Sequence, residues 1–160
     1  MKISGKVAAL ALAATVVADP AQACWTDAET DAATVANLNM MMMVSALRCR
    51  NGPDNFLAEY NRFVSLNNTI IGAQNATVRG HFSRTEGVGR AEASMDHFVI
   101  DIANNYGGGH ETLNCAQLHL VAIDLAQPGH NAVTLLAIAD GNVEQLPLPG
   151  GQCPVIIASK

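Results

Sequence analysis

Aromatic residues are scarce in this chain of 160 residues, at 4%. Seven rings offer few platforms for stacking bases, and a formal net charge of −5 gives no basic track for phosphates, so nucleic-acid binding is not expected. No C-x-x-C occurs, which removes a thioredoxin-type redox pair and c-type haem attachment. H-E-x-x-H, a Walker loop and a dinucleotide fingerprint are all missing, and Ser65, Ser83 and Ser94 lack a Gly-x-Ser-x-Gly setting. Glu59, Glu86 and the other carboxylates show no pairing that can be placed at glycosidase spacing. Nothing has the roughly 18 uninterrupted apolar residues of a spanning helix. What is present is 49% hydrophobic and 14% charged residues, enough apolar material for one buried core and too much for intrinsic disorder.

The N-terminus reads as a secretory signal peptide over residues 1–23. Lys2 and Lys6 precede the apolar run Val7 to Val17, then Asp19-Pro20 and the small-residue site Ala21-Gln22-Ala23. Cleavage after Ala23 leaves seven basic and thirteen acidic residues, a net charge of −6, in a single domain over 24–160. A lipoprotein is the rival reading, because Cys24 follows the site; Ala21 and Gln22 fit that signal poorly. All four cysteines lie in the exported part, and an even number in a periplasmic or secreted protein reads as two disulfides. They are too widely spread for a tetrathiolate zinc site.

The mature chain reads as all-α, a bundle of four main helices plus a short fifth. Thr26-Asp27-Ala28-Glu29 is a capping box, and the helix it opens carries Val35, Leu38, Met42, Ala46 and Cys49 on one stripe before Asn51-Gly52-Pro53. A second helix is expected from Asp54 to about Ser83, with Leu57, Tyr60, Val64, Ile71, Val78 and Phe82 inward, broadened by Phe56 and Phe63. The third spans Ala91 to Tyr106 and ends at Gly107-Gly108-Gly109. The fourth, about Glu111 to Ala126, turns Cys115 inward. Residues 131–140 fit a short helix stopped by Gly141, with a hairpin at Asp140-Gly141 as the alternative. An irregular tail follows from about 141.

This geometry narrows the disulfide pairing. A helix from Thr26 to Arg48 is about 34 Å long, whereas bridged Cα atoms lie within about 7 Å, so Cys24 cannot reach Cys49. In an up-down-up-down bundle the end of helix one meets the start of helix four. Cys49 is therefore expected to pair with Cys115, and Cys24 with Cys153.

Chemistry-bearing residues are few. Met40-Met41-Met42-Met43 offers thioethers for copper(I), but four successive helical positions sweep about 300° and cannot converge. Adaptable core filler is the plainer reading. The all-round apolar stretch Met40 to Val44 also suggests burial against a second copy, with Met40, Met41 and Met43 as interface candidates in a homodimer. Among the five histidines, His97 and Asp101 stand four apart on one helix and could share zinc or copper; an ordinary ion pair is the alternative. Gly107-Gly108-Gly109-His110 could offer amides to an anion, or simply close a helix. Residues 48–90 carry six arginines against three acids, a basic half that either packs on the acidic remainder or meets an anionic partner.

The segments Cys24-Trp25-Thr26-Asp27-Ala28-Glu29, Met42-Met43-Val44-Ser45-Ala46-Leu47-Arg48-Cys49-Arg50, Tyr60-Asn61-Arg62-Phe63 and Ala103-Asn104-Asn105-Tyr106-Gly107 resemble those of a group of small exported bacterial helical proteins of unestablished activity. Some look-alikes bear the name S-adenosylhomocysteine hydrolase, which implies a larger NAD-containing enzyme whose fingerprint this sequence does not carry. The expectation is an exported, disulfide-stapled binding or structural interaction module rather than an enzyme. It needs no cofactor, and it has a protein or small-molecule partner. A periplasmic copper- or zinc-binding protein is the alternative, and a small hydrolase the second.

Overall fold

The computed structural model describes residues 23–154, so the signal-peptide reading of residues 1–22 lies outside the described residues. The fold is all-α: α1 (Asp27–Cys49), α2 (Leu57–Glu86), α3 (Ala91–Asn105), α4 (Cys115–Leu125) and α5 (Ala132–Asn142).

Three of the five helix starts are written in side chains. Thr26 Oγ1 accepts from the Glu29 amide while Glu29 Oε2 accepts from the Thr26 amide, the capping box expected for α1. Asn114 and Gln117 form the same reciprocal pair at α4, and Asn131 with Thr134 at α5. The α4 box corrects the expected start at Glu111. Residues 111–113 are instead held as a turn, with His110 Nδ1 accepting from the Thr112 and Leu113 amides. The α5 box disposes of the hairpin alternative. Gly141 is not the stop either: it keeps a negative φ inside α5, which runs on to Asn142. Helix α2 starts three residues later than expected, where Asn55 Oδ1 accepts from the Leu57 amide, and runs to Glu86 before Gly87 turns the chain at φ +89°.

Helix α1 is the axis of the molecule and packs against all four others. This covers much of the all-round apolar stretch within the chain itself. Met41 and Met42 are fully buried, Met40 packs against the core and Met43 is half-buried. Met41 therefore has no surface to give a partner, which removes it from the interface candidates. On α2 the buried line runs through Phe63, Asn67, Ile71, Val78 and Phe82, with Leu57, Tyr60 and Val64 at its flank rather than its centre.

Two disulfides clamp α1 at opposite ends. Cys24–Cys153 has Cα atoms 4.9 Å apart and Cys49–Cys115 5.8 Å apart, the pairing expected from the bundle order. Near the second, Arg48 donates to the Gly107 carbonyl beyond α3, and its guanidinium lies 3.4 Å from where a Cβ on Gly109 would sit. Gly109 itself adopts φ +113°. The glycine run thus closes α3, its Gly107 and Gly109 amides being spent on the Asn104 and Tyr106 carbonyls rather than on an anion.

Candidate functional site

The tail does not wander. After α5, residues Val143–Cys153 form an extended strap laid across the bundle and fixed at both ends. At its start the Glu144 amide donates to Tyr106 Oη, Asn37 Nδ2 donates to the Glu144 carbonyl, and Glu144 Oε1 accepts from the Glu111 amide. At its end Trp25 acts as the peg. The Trp25 amide donates to the Gly151 carbonyl, the Cys153 amide donates to the Trp25 carbonyl, and the indole Nε1 donates to the Pro149 carbonyl at 2.9 Å. The Cys24–Cys153 bond adds a covalent tie. Gly150 lies so close to the Ala23 carbonyl that a Cβ there would stand 2.4 Å from it, so the strap and the N-terminal segment interlock at a glycine.

Trp25 is fully buried and sits in an aromatic cluster. Its ring stacks on His81 at 3.7 Å and 18°, and approaches Phe82 and Phe98 at 5.7 Å each. Behind the stack His81 Nδ1 is 3.2 Å from Glu29 Oε2, and Arg84 Nη2 is 2.7 Å from the same oxygen while also donating to the Cys24 carbonyl. Burial alone would raise the Glu29 carboxyl. The bonds from Arg84, the Thr26 amide and His81, with the Arg84 charge, outweigh it and hold the group at about 2. Burial lowers His81 below its ordinary value, and the Glu29 carboxylate opposes that shift. This cluster fastens the N-terminal segment to α2. Nothing in the local pattern pointed to it, since Glu29 already reads as a cap and its partners stand 52 and 55 positions away.

Between the strap, α3 and the end of α2 lies a groove of about 520 Å³. Its floor is apolar: Phe82, Phe98 and Ile102 from the helices, with Leu146, Pro147 and Pro149 from the strap. Its rim is polar: Glu86, Ser94, His97, Asp101, Asn104 and Asn105. Ser94 Oγ donates to Glu86 Oε2 at 2.7 Å. Helical spacing brings Ser94, His97 and Asp101 to one face of α3 on successive turns.

The two residues singled out as metal candidates, His97 and Asp101, thus both line this groove. They form no ion pair with each other, so the plainer alternative is also not what the structure shows. Among the described residues no three His, Cys, Asp or Glu side chains are grouped to hold a metal ion. The other four histidines are engaged within the fold: His81 on Trp25, His110 on Tyr106, His119 on Phe56, and His130 with the Asp124 carbonyl. The arginines are similarly spent. Arg48, Arg62 and Arg90 bond to backbone carbonyls of this chain, while Arg79 pairs with Glu92 and Arg84 with Glu29.

A second groove of about 520 Å³ lies on the other side of the strap against α1, so Leu146 belongs to both walls. Two α1 side chains there carry buried oxygens without a hydrogen-bond partner, Thr30 Oγ1 and Asn37 Oδ1. Comparison with protein-family models, with curated proteins and with solved structures found no match to this chain, so the geometry of these sites is what a functional reading has to rest on.

Proposed function

We propose that the protein is an exported, disulfide-stapled helical binding module whose ligand lies in the groove between α3 and the strap. The observation that carries this reading is the groove's make-up: an apolar floor with a Phe82–Phe98 pair at 5.9 Å, and a rim of polar side chains on which those of His97 and Asp101 make no hydrogen bond or ion pair among the described residues. A cleft of roughly 300–1,000 Å³ with an apolar base and a few convergent polar groups is the ordinary form of a small-molecule site. The strap supplies half the floor, and its anchoring by Trp25 and Cys153 gives that wall a fixed position before any ligand arrives, which limits the ordering cost of binding.

Export is supported by the two disulfides, which persist in non-reducing compartments, and by the signal-like residues 1–23. The same bond argues against lipidation, because the Cys24 sulfur that a lipid anchor would alkylate is bonded to Cys153. No helix among the described residues is long and apolar enough to cross a membrane.

Titration with the uncharged fluorophore N-phenylnaphthylamine tests the groove. Saturable enhancement that is lost in Asn104→Trp, an exposed rim position where an indole fills the groove, is the expected result. Enhancement indifferent to Asn104→Trp, or none at all, would overturn the reading.

A further inference from the structure

The rim of the α3 groove has one sign of charge. Glu86 and Asp101 stand on it with His97 beside them, no lysine or arginine among the described residues lines it, and Arg90 at the head of α3 turns its guanidinium to the Glu86 carbonyl. Asp101 makes no hydrogen bond or ion pair among the described residues, and Glu86 accepts only from Ser94 Oγ through its carboxylate, which leaves oxygen lone pairs on both for a donor from outside. The neutral part of the rim, Asn104 and Asn105, adds further acceptors. Beneath it the faces and edges of Phe82 and Phe98 form an apolar base, with Ile102 and the strap's Leu146 closing the sides.

Resting on the binding reading above, we infer that the ligand is a small organic cation, an ammonium group carried on an aromatic or branched apolar body. The body displaces water from the phenylalanine and strap floor, and the ammonium stays at the rim between Glu86 and Asp101. A carboxylate or phosphate ligand of the same shape meets two like charges there and no cation to offset them. An uncharged alcohol gains the floor but not the rim. The floor sets size: a volume of about 520 Å³ accommodates a small organic molecule of one to three rings and is too small for a folded partner.

Three isosteric probes separate this inference from the reading it rests on. Phenethylamine, phenethyl alcohol and phenylacetate present the same ring with positive, neutral and negative ends, and each is titrated calorimetrically into the full mature chain at low salt. Amine binding several-fold tighter than alcohol, with the carboxylate weakest, is expected. Exposed charge pairs of this kind are worth about two- to fivefold in affinity, so Asp101→Asn and Glu86→Gln should each weaken amine binding by about that factor and weaken the alcohol less. The amine's advantage should also shrink as added salt screens the rim, a readout that needs no variant. Alcohol or carboxylate binding as tightly as the amine, or an amine advantage untouched by salt and by both variants, overturns the inference while leaving the groove as a binding site. Failure of all three probes to bind overturns both.

Discussion

At the scale of single residues, the Glu29, His81 and Arg84 cluster makes the fold sensitive to acid in two stages. His81 takes up a proton less readily folded than unfolded, so its contribution is complete above the ordinary histidine value of 6.5 and is lost as pH falls below it. Glu29, held at about 2 against 4.5 for a free side chain, adds stability that is complete above 4.5 and lost as pH falls from there towards 2. A difference of that size corresponds to about 3 kcal/mol at neutral pH. Urea unfolding midpoints measured against pH should fall in both windows, and Glu29→Gln should flatten the lower one while costing about 1–3 kcal/mol at neutral pH. A Glu29→Gln profile parallel to that of the wild type would show that the carboxylate is not what the acid titrates. Glu29 was legible in the sequence as half of a capping box, because that role depends on residues three apart. Its second role depends on where α2 passes, which no local pattern encodes. The methionines make the same point: their apolarity was plain, but whether a second copy or the chain's own helices covered them depended on α1 being central.

Among the elements, the helices were readable to within a few residues wherever a cap or a glycine marks the boundary. They were misread where two signals competed. Glu111 resembles a helix start until the Asn114–Gln117 box, three residues on, takes the role. On α2 the expected Ile71, Val78, Phe82 and Phe63 lie on the buried line, while Leu57, Tyr60 and Val64 flank it, since a helix packed against α1, α3 and α4 has more than one inward direction. The strap was seen only as a loop tied down by its cysteine. Its path over α3, and so the groove, depends on hydrogen bonds from Trp25 that join residues 124 or more positions apart. The strap is the element whose release is simplest to detect. In a Cys24→Ser, Cys153→Ser double variant, hydrogen exchange should accelerate across Val143–Cys153 and at Trp25, while α1 and α2 exchange more nearly as before. Uniform acceleration along the whole chain would mean that the bond supports the bundle rather than the strap alone.

For the whole molecule, a helical fold stapled at both ends of its central helix is well suited to a compartment in which the chain must persist without being repaired. The proposed export makes a definite statement about mass: the mature protein begins at Cys24, with two disulfides and no acyl group. Intact mass spectrometry of the envelope or secreted fraction checks it, and a lipid-sized increment would contradict it. His97 and Asp101 were chosen from sequence for metal, and the structure keeps them together but gives them a groove in place of a third ligand. Their shared face follows from helical spacing and was therefore legible; the wall opposite them belongs to the strap and was not.

The proposed function requires that groove to be a binding site. The most direct measurement is the amide NMR spectrum of the isotope-labelled mature chain during titration with phenethyl alcohol, whose lack of charge isolates the apolar floor. Shifts should be confined to residues 82–105 and 146–149 and should vanish in Asn104→Trp. Shifts centred elsewhere, or a spectrum unchanged at saturating probe, would contradict it.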